Sequence, residues 1–413
     1  KGTSDYELHR ATVLQGGESL ARIVAQRIEQ GIGRAARGAG DYCVVFLVGS
    51  DLSAWIAKKS NFDFLTSPTK AQLEMGIEVS KDISSDTELL DTVNLSFERG
   101  TDWTSFHAEQ LADLVDEQAE TAKQITVADL ERKGVENWRS GNLEKSIENF
   151  ENAANNCDSG DNPLKGFLLQ LAAKVANFWG NEDLFNDLQR QAYYLNKSLQ
   201  RPKIEPPYQK LSPPSSQAKK IAALFFHYKY RRGAINEFEN AVSGLNKEAS
   251  ASNFEQSLVE LGKYLGFTAE RFDDKGKGPD VLWLMPDDVG VVMEAKSRKK
   301  SDNPLTKDNH GQLLVADEWF KEKYKDYRSL RVSVHPNSLS TDQAEAHNSY
   351  VLTYDNLQRL VVEVRRLVTE LAESKVPQQE IELLCARLLE TSAIKSTEIA
   401  ENFFSKFEVV SKN

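Results

Sequence analysis

Gly278-Pro279-Asp280-Val281-Leu282-Trp283-Leu284-Met285-Pro286-Asp287-Asp288-Val289-Gly290-Val291-Val292-Met293-Glu294-Ala295-Lys296 contains two short apolar runs separated by Pro-Asp-Asp. Runs of this length, rich in branched residues and bounded by turn formers, predict two strands, 281–285 and 289–293. Asp280 stands just before the first strand and Glu294 just after the second, so the hairpin brings their ends together. Glu294 and Lys296 are two apart on one strand and point to the same face. The result is two carboxylates and an ammonium at one end of a sheet. An ordinary strand pair ending in surface charges is the competing reading. The apolar run before Glu294 argues against it, because charges emerging from a buried strand are costly without partners. Hard oxygen ligands suit Mg²⁺. A bound metal lowers the pKa of a water, and Lys296 can orient that water or offset developing charge.

The flanking pattern extends this element. An amphipathic helix is predicted over 254–265, a helix over 311–323, strands at 331–335 and 351–353, and a helix over 357–371. Helix, hairpin and helix in this order resemble the PD-(D/E)xK nuclease superfamily, the fold shared by many restriction enzymes and resolvases. The resemblance covers about 250–360. It implies a restriction-endonuclease-like α/β domain that cuts phosphodiesters with Mg²⁺ or Mn²⁺. Asp280, Glu294 and Glu255 would then be metal-proximal, with Lys296 and Gln312 completing the catalytic set. Glu260 competes with Glu255, since five residues along a helix separate their directions. Gln312 also reads as a polar residue of a helix N-terminus. Arg298, Lys299, Lys300 and Lys307 follow Lys296 with one acidic residue, Asp302, among them. In a chain of net charge −11 this is a local patch suited to phosphate contacts, although a solvated loop has the same look. Trp319, Phe320 and Tyr324 have core spacing. His310, His335 and His347 lack a metal-ligand spacing.

A second pattern lies near the start. Gln30-Gly31-Ile32-Gly33-Arg34-Ala35-Ala36-Arg37 has the form Q-x-x-G-R-x-x-R. Two arginines three apart share a helix face, and each offers a planar fork of donors suited to polyphosphate. The run Tyr42-Cys43-Val44-Val45-Phe46-Leu47-Val48 predicts a buried strand after it. A solvated helix face with two arginines is the plain alternative. The motif, the strand and Phe64-Leu65-Thr66-Ser67-Pro68 resemble the C-terminal motor lobe of superfamily 2 helicases of the DinG type, over about residues 1–80. The resemblance implies a partial RecA-like lobe in which Gln30, Gly33, Arg34 and Arg37 touch ATP. No G-x-x-x-x-G-K-[ST] occurs, so this chain carries half an ATP site and hydrolyses ATP only with a second motor lobe.

Between the two patterns, 131–154 resembles one tetratricopeptide repeat, with a turn at Ser140-Gly141; a plain helical hairpin fits as well. Prolines at 202, 206, 207, 213 and 214 mark a linker. A helix is predicted over 217–238, and a helical tail with a short strand at 407–410. The 413 residues thus divide into a helicase-like lobe (1–120), a helical spacer with linker (121–244), a nuclease-like domain (245–371) and a tail (372–413). The three widely spaced cysteines exclude a zinc ribbon and suit the cytoplasm. No apolar run approaches the length of a membrane span. A first residue other than Met reads as a mature chain or a piece of a longer one. The expected activity is that of a helicase-nuclease acting on DNA, single-stranded or forked, an architecture suited to repair or defence against foreign DNA. The alternative is a module that binds DNA or recruits a partner without cutting.

Overall fold

The computed structural model describes residues 5–34, 41–112, 121–203, 208–272, 277–296 and 303–410. The chain is α/β and divides into two compact units, one of Lys1–Phe46 with Ser60–Tyr208 and one of Leu47–Lys59 with Gln209–Asn413. This division cuts through the expected 1–120 region and joins the tail to the region before it.

All regular elements described in the first unit are helices. Four run consecutively: Thr121–Arg139, Leu143–Asn156, Asn162–Trp179 and Glu182–Leu195. Each packs on the next, so the hairpin expected at 131–154 is the first of two in series. Both hairpins turn at a Gly-Asn pair. Gly141 (φ 79°) and Gly180 (φ 83°) occupy the left-handed region, which a Cβ disfavours. Asn181 then caps the last helix by accepting from the Leu184 N–H. Phe150, Phe167, Leu168, Ala172 and Leu188 fill the space between the helices.

The strand expected at 42–48 is not formed. Residues 41–49 pair with no strand, and Tyr42, Phe46 and Val48 are exposed, Val48 by 83%. A strand needs a neighbour for its N–H and C=O groups, and the described residues of this unit contain no other strand. In place of a sheet, 60–112 of this unit is mainly helical, with Ser67–Ser80, Asp86–Glu98 and Thr101–Ala112.

The second unit is built on a six-stranded sheet in the order β1-β2-β3-β4-β6-β7. Its strands are β1 (Thr268–Glu270), β2 (Val281–Met285), β3 (Val289–Ala295), β4 (Arg328–His335), β6 (Tyr350–Thr353) and β7 (Ser405–Lys406). A separate parallel pair joins β5 (Leu339–Thr341) to β8 (Glu408–Val410). β2 and β3 form the expected hairpin, with Asp287 (φ 63°) and Asp288 (φ 54°) left-handed in the turn, a conformation Asp tolerates. β3 pairs β4 in parallel, and the Lys307–Lys323 helix makes the crossover. β2 is buried along its whole length, and β3 as far as Glu294. Residues covered on both faces need apolar side chains in both directions, which is why neither strand alternates. Val281, Trp283, Val291 and Met293 point into a core shared with the Ala251–Tyr264 and Tyr354–Glu373 helices.

Two parts of this unit come from distant sequence. The Ser50–Ala57 helix packs on Gly233–Val242, and the Lys229 N–H donates to the Ala57 carbonyl (2.8 Å). That contact corrects the single helix expected over 217–238. The structure has Gln217–Phe225 and Gly233–Val242, and 226–232 is given over to pairing with residues 57–59. The tail is equally built in. Ile381, Cys385, Ile394 and Phe403 are buried in the main core, and β7 extends the sheet. Buried Gln217 ties the tail down. Its Nε2 donates to the carbonyls of Leu265 (2.9 Å) and Ile394 (2.8 Å), and its Oε1 accepts from the Ser396 N–H (2.9 Å). Gln217→Ala should therefore cost about 2–4 kcal/mol, measured by urea denaturation, because it leaves buried backbone groups unsatisfied. A loss below about 0.5 kcal/mol would show that the tail holds without this anchor.

Candidate active site

The register of the hairpin decides the geometry. Val281 pairs with Met293, so the next step along the ladder sets Asp280 opposite Glu294. Asp280 Oδ2 accepts from the Ala295 N–H at 2.8 Å, which fixes its carboxylate against the end of β3. Glu294 is 7% exposed and Lys296 Nζ lies 3.4 Å from its Oε2. The Lys296 backbone is held too: its N–H donates to the Val334 carbonyl (2.9 Å) and its carbonyl accepts from the Tyr354 hydroxyl (2.9 Å). Lys296 Nζ also donates to Gln312 Oε1 at 2.6 Å. Asp280, Glu294, Lys296 and Gln312 thus converge.

Gln312 is not a capping residue. Thr306 caps the Lys307–Lys323 helix by accepting from the Asn309 N–H, and Gln312 lies in the second turn. Of the two glutamates on the Ala251–Tyr264 helix, Glu255 is the one near the site. Its carboxylate pairs with Arg271, and the charges of Asp280 and Lys296 both reach it. Glu260 is turned away, bonded to Lys263 (2.9 Å) and Gln256 (2.9 Å). Trp319, Phe320 and Tyr324 are buried, as their spacing implied. His310 is buried with Nε2 2.9 Å from Ser349 Oγ, and burial pushes its pKa down.

The other named residues lie elsewhere. Lys307 opens its helix and lines the cleft that contains Asp280 and Glu294. Arg298, Lys299 and Lys300 fall outside the described residues. In the first unit, Gln30 is exposed near the end of the Glu18–Ile32 helix, and Gly33 and Arg34 follow in an exposed turn. Arg37 falls outside the described residues. Two further residues at the site escaped sequence reasoning. Arg271 reaches Glu255 from the loop after β1, and Tyr354 reaches Lys296 from the start of a helix. Neither carries a local signal, since each acts across a fold-dependent gap.

Electrostatics set the chemistry. Burial, then the neighbouring Asp280 carboxylate, raises Glu294 from an ordinary 4.5 to about 7, with Lys296 opposing. Glu255 is raised by the same two causes, with Arg271 and Lys296 opposing. Burial and mutual repulsion thus make both carboxyl groups harder to ionise than free ones. Paired carboxylate oxygens are the kind of donor a hard divalent cation takes. Among the described residues no group of three or more His, Cys, Asp or Glu side chains stands close enough to hold a metal, so Glu255 is not part of such a cluster. The cleft itself measures about 950 Å³. No family model matches the chain, and neither a characterised protein nor a solved structure matches it.

The raised Glu294 has a definite sign. Below about pH 4.5 the group is protonated whether folded or unfolded and adds nothing. Between about pH 4.5 and 7 the unfolded chain ionises this group while the folded chain keeps it protonated, so stability falls across that window and levels off above it. Glu294→Gln should therefore be more stable than the native chain at pH 8 without metal, by on the order of 3 kcal/mol. The gain should vanish at pH 4.5. A native chain as stable as the variant at pH 8, by thermal melting, would mean that Lys296 leaves Glu294 an ordinary acid.

Proposed function

We propose that this chain is the C-terminal part of an ATP-dependent DNA helicase-nuclease, and that its second unit is a PD-(D/E)xK-type hydrolase of phosphodiesters. One observation carries the nuclease reading: Asp280, Glu294 and Lys296 converge at the end of a buried hairpin, with Gln312 on the Lys296 ammonium. Asp280 and Glu294 would hold Mg²⁺ or Mn²⁺, which supplies Lewis acidity and an acidified water. Lys296 Nζ, held by Gln312, orients the attacking water and faces the charge that grows on the phosphate. The Tyr354 hydroxyl keeps the Lys296 backbone in place for that role. Glu255 assists from the neighbouring helix. Lys307, with Arg298, Lys299 and Lys300, supplies phosphate contacts.

The helicase part of the reading rests on the sequence pattern of Gln30, Gly33, Arg34 and Arg37. These would complete an ATP site built mainly by a second motor lobe. The protein would work in the cytoplasm, in DNA repair or defence. A non-cleaving DNA-binding or partner-recruiting module is the alternative. The observation that favours it is the Arg271–Glu255 pair, which engages the third carboxylate.

Single-turnover cleavage of single-stranded, forked and duplex DNA with Mg²⁺ or Mn²⁺ tests the main reading. Lys296→Ala should slow cutting by about 10²–10³-fold. Cutting that survives Lys296→Ala unchanged, or no Mn²⁺ binding by calorimetry that depends on Asp280, would favour the binding module. ATP hydrolysis by this chain alone should stay at background. Turnover above background would overturn the half-site reading.

A further inference from the structure

We propose that the cleft beside Asp280 and Glu294 contains a seat for an unpaired nucleobase, so that the strand delivered to the carboxylates is single. The inference deepens the nuclease reading and rests on it for what the carboxylates do. The cleft walls argue for what fills it.

One wall is the first half of the Lys307–Lys323 helix. Leu314 and Val315 line the cleft there and are 37% and 49% exposed, whereas Leu313 and Ala316 turn into the core. Phe272 adds a ring on the same cleft, its centroid 5.5 Å from that of buried Trp319. The other wall is the loop before β6, which presents Gln343, His347 and Asn348. That loop is shaped by specific contacts. Arg331 Nη2 donates to the Asn348 carbonyl at 2.9 Å, His310 meets Ser349, and Glu345 takes the left-handed conformation (φ 48°).

A nucleobase has two apolar faces and a polar edge. Aliphatic and ring surfaces on one side, with an amide and an imidazole on the other, match that combination. The cleft's charges favour a base over a cluster of phosphates. Among its described lining residues four are acidic (Asp280, Glu294, Asp308, Glu345) and two are basic (Lys307, Arg331), so these walls bring no surplus of cations to gather several phosphates. Its volume of about 950 Å³ sits near the top of the range of about 300–1,000 Å³ for small-molecule pockets. That is room for a nucleotide or two. Bases inside a duplex have their faces stacked and their edges paired, and cannot offer either to these walls.

The test reads binding in EDTA, where no cutting occurs. Fluorescence anisotropy would compare a labelled oligothymidylate of about a dozen residues with its abasic counterpart of equal charge and with a duplex of the same length. The base-bearing single strand should bind about tenfold or more tightly than either. Val315→Glu should remove that advantage while leaving the melting temperature unchanged, since the side chain is half exposed. Leu314→Ala should reduce it without adding charge. Equal affinity for the base-bearing and abasic strands, or indifference to both substitutions, would overturn the proposal. Base-dependent binding in a chain that never cuts would overturn the nuclease reading alone. Cutting with no preference for bases would overturn this inference alone.

Discussion

The antiparallel ladder between β2 and β3 fixes where Asp280, Glu294 and Lys296 stand in the candidate site. Once Val281 is opposite Met293, Asp280 must face Glu294 and Lys296 must emerge on the Glu294 side of the sheet. A slip of one residue would turn Trp283, Val291 and Met293 out of the core and send Glu294 to the opposite face. The apolar side chains that hold the register are therefore also what brings the charges together. The parallel pairing of β3 with β4 adds the second constraint, because it leaves Lys296 within reach of the Val334 carbonyl.

Around that hairpin the structure balances charge rather than merely placing it. Glu294 is buried beside Asp280, an arrangement that disfavours two negative charges. Lys296 offsets part of the cost, and it is held by contacts at its ammonium, its N–H and its carbonyl. Ordering a long side chain costs entropy, so an ammonium held by both Gln312 and Glu294 argues for a required position rather than a casual surface pair. The Arg271–Glu255 pair meets the same crowding of carboxylates from the other side.

Much of this unit was legible beforehand because its signals are local. Two unbroken apolar runs bounded by turn formers marked the hairpin, and residue patterns marked helices over 254–265 and 357–371. Asp280, Glu294 and Lys296 could be named because strand spacing links them, and Gln312 because the order of elements resembles the PD-(D/E)xK pattern. Glu255, preferred over Glu260, is the one that the charges of Asp280 and Lys296 reach. The run at 42–48 misled for a physical reason. Apolar continuity reports that a segment suits burial on two faces, and says nothing of whether a neighbouring strand is present to pair with it. The second helical hairpin was marked by Gly180-Asn181, which repeats Gly141-Asn142 and went unread.

By itself the sequence determined the hairpin, the type of most helices and the residue types that gather at its open end, because these depend on periodicity and spacing within a few turns of chain. Tertiary structure alone decided three other things. It placed 47–59 against 226–242, built the 381–410 tail into the core and sheet, and aimed Arg271 and Tyr354 at Glu255 and Lys296. Each of these contacts joins residues far apart in sequence. Such a contact forms only where packing supplies enough buried surface to offset the entropy of closing the loop, and no local pattern records that balance.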